Sequence, residues 1–260
     1  MELTGGNVSG VTRRDDTVLR EQKPWSGTIH RLLAHLSAAG FDRAPAHLGS
    51  DAAGREILSF VPGETCFDYP FSADPGERRA VVAAAARLLR AYHDATSSFA
   101  LRQDDSWMFA YEGDLASEVI CHNDFAPYNV TFLDGRPHGI IDFDTVCPGP
   151  RIWDIAYALY RFVPLSRELY DPEQGRYRDY DRAIDAAERR ALIDLFLAAY
   201  GLPRPADLFA QVGARLTALA ELIEAEAARG SAAFARMAQE GHAELYRREA
   251  AFVAAHCADW

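Results

Sequence analysis

The chain has almost no lysine. Lys23 is the only one, so nearly all of its positive charge is arginine, a trait of genomic base composition rather than of function. Cysteine is scarce as well. Cys66, Cys121, Cys147 and Cys257 stand far apart, with no CxxC pair and no Cys/His spacing suited to zinc. That pattern argues against a disulfide framework or a zinc module and predicts free thiols in a reducing compartment. Long apolar runs are missing: the stretch Val81–Leu89 is broken by Arg87 and falls far short of the ~20 residues a membrane helix needs. The first residues, Met1-Glu2-Leu3-Thr4-Gly5-Gly6, carry neither a basic n-region nor an apolar h-region, so no secretory signal is expected. The expected location is the cytoplasm. Positive charge is also in deficit. A net charge of −11 argues against nucleic acid, whose phosphates need a basic face, and is compatible with a cationic small molecule.

What is present describes a soluble globule. The chain has 260 residues, 49% hydrophobic and 25% charged, enough for one large or two small packed lobes. Val8 to Arg14 and Thr17 to Gln22 are β-type runs across Asp15-Asp16, a hairpin signal. Thr28 to Ala39 carries Ile29, Leu32, Leu33 and Leu36 at helical spacing and stops at Gly40. Ala46 to Gly49 and Glu56 to Val61 read as strands, the second closed by Pro62-Gly63. After Gly63 the character changes. Asp74, Pro75 and Glu77 open a long helix reaching Tyr92-His93. Further helices are expected near 153–162, 185–200, 206–228 and 231–256, with Leu208, Val212, Leu216, Leu219 and Ile223 as an apolar stripe.

The informative segment is CHNDFAPYNV, Cys121 to Val130, followed by Ile140-Ile141-Asp142-Phe143-Asp144. Phosphoryl transfer needs a carboxylate to orient and deprotonate the attacking hydroxyl, and hard oxygen ligands to hold Mg²⁺ against nucleotide phosphates. Asp124 and Asn129 supply the carboxylate and one ligand from a single loop. Asp142, at the end of the run Gly139-Ile140-Ile141, supplies another from a strand end.

These residues, with Trp153-Asp154-Ile155-Ala156, resemble the aminoglycoside phosphotransferase and choline kinase-like family. The best match spans about residues 88 to 162, with a degenerate match back to residue 3. The resemblance implies an α+β, bilobal protein-kinase-like fold: a small β-rich N-terminal nucleotide-binding lobe (1–63) and a larger, mostly helical C-terminal lobe for catalysis and the acceptor (64–260). It implies Asp124 as catalytic base and Asn129 and Asp142 as Mg²⁺ ligands. Asp144 sits where relatives often place a second carboxylate, and Asp154 matches an aspartate that begins a helix and braces the catalytic loop. The glycine common after the histidine is Asn123 here, and Phe143-Asp144 stands where protein kinases have Phe-Gly.

The nucleotide side is degenerate. Gly5-Gly6-Asn7-Val8-Ser9-Gly10 occupies the place of a phosphate-covering loop, with Gly6 and Ser9 the candidate contacts, but its preceding strand has almost no length. Arg20 shares a strand face with Val18 and replaces the usual lysine; guanidinium binds phosphate with a planar fork. No acid lies between Glu21 and Asp42, so the following helix cannot supply the usual ion-pair partner. Phe60 and Val61 fit the hinge that would meet the base. His122 is expected to hold the catalytic loop by hydrogen bonds, and Pro148-Gly149-Pro150-Arg151 to form a rigid turn.

The sequence thus reads as a small-molecule kinase: Mg²⁺ with ATP or GTP, and a hydroxyl acceptor such as an aminoglycoside or another antibiotic. Carboxylates available to a cationic acceptor include Glu168, Asp171, Glu173, Glu221, Glu224 and Glu226. The shortened loop and Arg20 favour one alternative, a catalytically inactive kinase-like nucleotide-binding or immunity module. A phosphohydrolase or glycosyltransferase built on Asp142-Phe143-Asp144 is a third reading, with no other support in the chain.

Overall fold

In a computed structural model, the described residues are 11–66, 74–171 and 174–260, with the backbone of Glu2–Leu3. Gly6 and Ser9 lie outside them. The chain divides into two compact units. One comprises Met1–Cys66 and Leu88–Arg151, the other Phe67–Arg87 and Ile152–Trp260.

The first unit is built on a five-stranded antiparallel sheet of order β1-β2-β3-β5-β4. Its strands are β1 (Glu2–Leu3), β2 (Val11–Arg14), β3 (Thr17–Arg20), β4 (His47–Ser50) and β5 (Glu56–Ser59). Helix α1 (Ser26–Ala38) buries Ile29, Leu32, Leu33 and Leu36, the residues its spacing selects, and Gly40 ends it at φ +80. It starts two residues earlier than the spacing predicts, where the Ser26 hydroxyl accepts from the Lys23 amide at 2.9 Å. Two short strand pairs complete this unit's described β structure. Strand β6 (Val119–Cys121) pairs with β9 (Cys147–Gly149), and β7 (Val130–Leu133) with β8 (Arg136–Ile140). Pro148-Gly149 is therefore strand, not the rigid turn expected: Glu118 N–H bonds Gly149 O and holds the segment extended. The bridge Glu64↔Phe132 ties the sheet's exit to β7. Gly63 makes that approach feasible, since a Cβ there would lie 2.6 Å from the Phe132 carbonyl oxygen.

Helix α2 (Pro75–Thr96) starts as its cap residues predict, with Asp74 Oδ1 accepting from Gly76 N–H at 2.6 Å. The second unit holds α3 (Arg151–Phe162, whose first residue belongs to the other unit), α4 (Arg182–Tyr200), α5 (Leu208–Ala228), α6 (Ala232–Gln239) and α7 (His242–His256). Helix α5 buries Leu208, Val212, Leu216 and Ile223, while Leu219 is only half-buried and Ala220 takes its place in the core. The single helix expected over 231–256 is two, because Gly241 takes φ +81 and breaks it. The hairpin β10 (Glu168–Asp171) and β11 (Arg176–Asp179) was not foreseen; Gly175, at φ +63, serves its turn.

Candidate active site

The catalytic segment is a loop slung between two strand pairs. Strand β6 delivers His122 to Asp124, and the chain then enters β7 at Val130. Asn123 takes φ +63, a conformation glycine adopts freely and asparagine tolerates better than most residues. That explains how asparagine stands where glycine is common. Its Nδ2 also donates to Thr145 O at 2.8 Å and lies 3.1 Å from Cys147 Sγ. The fully buried His122 bonds Ile141 O through Nε2 at 3.1 Å, and Thr145 Oγ1 donates to His122 O at 2.8 Å. Phe143 packs edge-on against both His122 and Tyr92, so the loop rests on an aromatic floor.

The β7–β8 hairpin brings the two candidate metal ligands together. Asp134 and Gly135 both have positive φ, the signature of a tight hairpin turn. The ladder pairs Val130 with Ile140, and one step on Ile141 N–H donates to Asn129 O at 2.9 Å. Asn129 and Asp142 thus flank the open end of one hairpin. Asn129 Nδ2 donates to Asp124 Oδ2 at 2.8 Å and to Asp124 O at 3.1 Å, which leaves the amide oxygen for a cation. The second carboxylate oxygen of Asp124 accepts from Tyr128 OH at 2.6 Å.

Asp142 has φ +62, and 45% of its side chain is reachable by solvent. Crowding nevertheless strips hydration from the carboxylate, and like charge on Asp144 and Asp124 adds to this, raising it to about 6 against the pull of Arg20. One amide oxygen and one carboxylate are hard ligands that fit Mg²⁺, which keeps several waters and completes its shell with phosphate. No group of three or more His, Cys, Asp or Glu among the described residues could hold a metal by itself.

Asp144 is buried; its Oδ1 accepts from Trp25 Nε1 at 3.1 Å and forms an ion pair with Arg20 Nη2 at 3.1 Å. Arg20 is only 8% exposed. Burial would lower its pKa; Asp144, Glu56 and Asp142 outweigh that and hold it above the ordinary value. The partner that the following helix cannot supply comes from the next strand. Glu56 stands opposite Arg20 in the β3–β5 register, is fully buried and accepts from Arg20 Nε. Its other oxygen bonds His30 Nε2 of α1, and the His30 ring stacks on His47 of β4 at 3.5 Å. Burial and neighbouring His30 hold His47 below its ordinary value. Glu56, His30, Trp25 and Tyr128 are the site residues that sequence reasoning missed. A glutamate on the same strand face as buried Leu58 was the available signal for Glu56.

Of the expected hinge residues, Phe60 uses its amide on Asp16 O at 2.8 Å. The Val61 amide and carbonyl meet no backbone partner among the described residues. The Val61 side chain lies against Gly139, where a Cβ would come within 2.4 Å of its Cγ1. Asp154 is fully buried in the first turn of α3. Among the carboxylates offered for a cationic acceptor, Glu224 is clasped by both Arg247 nitrogens at 2.6 Å and Glu226 pairs with Arg229. Glu173 lies outside the described residues.

Residues 100–190 match the family model described as the phosphotransferase enzyme family. The chain is 35% identical over 206 residues to a trifolitoxin immunity protein of Rhizobium leguminosarum bv. trifolii, covering 78% of this chain and 74% of that one. The chain belongs to the aminoglycoside phosphotransferase and choline kinase-like family. Its fold is that of these phosphotransferases. The GDP and kanamycin complex of the aminoglycoside phosphotransferase APH(2″)-IIIa superposes with a TM-score of 0.58 at 14% identity, covering 96% of this chain and 92% of that chain. A choline kinase of Cryptosporidium parvum Iowa II gives a TM-score of 0.51 at 11% identity, covering 100% and 88%. The α+β, protein-kinase-like architecture, β-rich at the N-terminus and helical at the C-terminus, is thereby shown. No helix of the described residues is long and apolar enough to cross a membrane, and all four cysteines are free thiols.

Proposed function

We propose that this chain is a cytoplasmic small-molecule kinase that transfers the γ-phosphoryl group of a nucleoside triphosphate to an acceptor hydroxyl. The observation that carries the reading is the anchoring of Asp124. Asn129 and Tyr128 each donate to one of its oxygens, and Asn129 stands beside Asp142 at the end of the same hairpin. Asp124 orients the acceptor hydroxyl for in-line attack and takes its proton. Asn129 and Asp142 would hold Mg²⁺, which when bound neutralises charge on the phosphates. Arg20, fixed by Glu56, restrains the non-transferred phosphates with its planar fork. The loop around Gly6 and Ser9 would add backbone donors, and Phe60 with Val61 would form the hinge for the base. Catalysis is then mostly positioning and electrostatics.

The acceptor class rests on similarity: the related fold solved with kanamycin makes hydroxylated cationic antibiotics the first compounds to try. The test is a screen of such compounds, amino alcohols and sugars for acceptor-dependent release of ADP or GDP.

The 35% identity to a trifolitoxin immunity protein is consistent with a second reading, a catalytically inactive kinase-like nucleotide-binding or immunity module. The complete set Asp124, Asn129 and Asp142 argues for turnover. Nucleotide binding without turnover on any acceptor would favour the binding module.

A further inference from the structure

We propose that Tyr128 is itself a phosphoryl acceptor: when no small-molecule hydroxyl is bound, the chain transfers the γ-phosphoryl group of its nucleotide to its own Tyr128 Oη. This rests on the kinase reading above and adds a second acceptor at the same site. Within the loop Cys121–Val130, Asp124 and Tyr128 are half-buried and every other residue is buried. The two reachable side chains are bonded to each other, with Tyr128 OH donating to Asp124 Oδ1 at 2.6 Å. The fold of the loop sets that contact. Phe125 and Ala126 are fully buried, and Asn129 N–H donates to Ala126 O at 2.9 Å, which closes a turn between Asp124 and Tyr128.

A general base takes its proton from a hydroxyl within hydrogen-bond reach, and Tyr128 already supplies a hydroxyl in that position. The bond has the length of a charge-assisted O–H···O⁻ contact, so the phenolic proton is aimed at the oxygen that takes it. A phenol has a pKa of about 10 and gives up its proton more readily than an aliphatic alcohol. The other oxygen of Asp124 is taken by Asn129 Nδ2 at 2.8 Å. In the step, Tyr128 Oη attacks the γ-phosphorus, the bond from that phosphorus to the β–γ bridging oxygen breaks, and the nucleoside diphosphate leaves. The phenolic proton passes to Asp124 Oδ1 and from there to water. The product carries about two negative charges beside the carboxylate and has no phenolic proton left to donate, so the reaction ends with Tyr128 modified once. A bound acceptor competes for the same base and the same γ-phosphoryl group, which suppresses the self-reaction.

The test incubates the full chain with Mg²⁺ and γ-labelled ATP or GTP in the absence of acceptor, and locates the label by peptide mass spectrometry. The parent should carry a phosphoryl group on Tyr128, at a rate per chain unchanged by dilution, as a reaction within one molecule requires. Asp124→Asn should be labelled at least about a hundredfold more slowly. Tyr128→Phe should leave that peptide unlabelled, with folding checked by near-ultraviolet circular dichroism; the peptide map of the parent assigns the site independently of that variant. An added acceptor that is turned over should reduce labelling of Tyr128. Label on a different residue, a rate per chain that falls on dilution, or labelling of Asp124→Asn at the parent's rate overturns the proposal. A parent that phosphorylates an added acceptor but never itself also overturns it and leaves the kinase reading standing. If neither the chain nor any added acceptor is labelled, both readings fall.

Discussion

Glu56 is where sequence and structure part most usefully, and substituting it gives a worked prediction. The carboxylate is fully buried and accepts from Arg20 Nε and His30 Nε2. Hydrogen bonds to charged groups contribute about 1.5–3 kcal/mol each. Glu56→Gln keeps the shape and one acceptor oxygen but turns an NH₂ group toward a donor. One bond is lost and the other weakened, while relief from burying a charge offsets part of the cost. The net destabilisation is about 2 kcal/mol, or about 4–8 °C in unfolding temperature for a chain of this size. Glu56→Ala removes the nearest counter-charge of a buried Arg20 altogether and should cost about 3–5 kcal/mol, a large share of the ~5–15 kcal/mol that holds a domain folded. Glu56→Gln should also weaken Mg-nucleotide binding about tenfold, because Arg20 loses the anchor that aims it. Glu224→Gln, at a solvent-exposed pair with Arg247, is the control and should leave the unfolding temperature close to the parent's. The assays are thermal unfolding by circular dichroism and nucleotide titration by calorimetry. If Glu56→Gln melts with the parent and binds nucleotide as tightly, the Arg20–Glu56 pair does not organise the site.

Three further outcomes are expected. Asp142 is raised to about 6 and must be ionised to ligate metal, so Mg-dependent nucleotide affinity should fall as pH drops through about 6 and level off above it. The same raised value means that the native metal-free protein binds the extra proton, so this group's contribution to stability declines as pH rises through about 6; calorimetric titration and unfolding across a pH series check both signs. At Asn123, with φ +63 and a bond to Thr145 O, unfolding temperatures should rank asparagine above glycine above alanine, since glycine keeps the backbone and alanine keeps neither feature; parity of Asn123→Ala with the parent would refute that account. Tyr128→Phe deletes a 2.6 Å bond to the proposed base and should lower turnover about tenfold with nucleotide affinity unchanged, whereas a nucleotide-affinity loss of the same size would make Tyr128 a structural residue.

The catalytic half of the site was legible because local geometry and chemistry coincide there. Asp124, Asn129 and Asp142 lie on one loop and one hairpin, so their spacing in sequence is nearly their arrangement in space. The nucleotide half was not, because its contacts join residues remote in sequence. Arg20 meets Glu56 across a strand pair and Trp25 meets Asp144 across the chain, which no spacing rule encodes. Helices followed apolar periodicity closely. They failed at Gly241, where one left-handed residue divides a continuous helical pattern. The hairpin turn Asp134-Gly135 was visible as a dipeptide and went unused, and Pro148-Gly149 misled because strand pairing overrode the turn preference of its residues.

The central claim is that Asp124 positions and deprotonates an acceptor for phosphoryl transfer. The direct test is transfer of labelled γ-phosphate from ATP and GTP to a panel of hydroxylated compounds, run with the parent and with Asp124→Asn. The account predicts acceptor-dependent transfer by the parent and at least about a hundredfold less by Asp124→Asn, the scale expected for a lost positioned base, with Mg-nucleotide affinity retained. Transfer by Asp124→Asn at the parent's rate, or nucleotide binding by the parent without transfer to any acceptor, would contradict it.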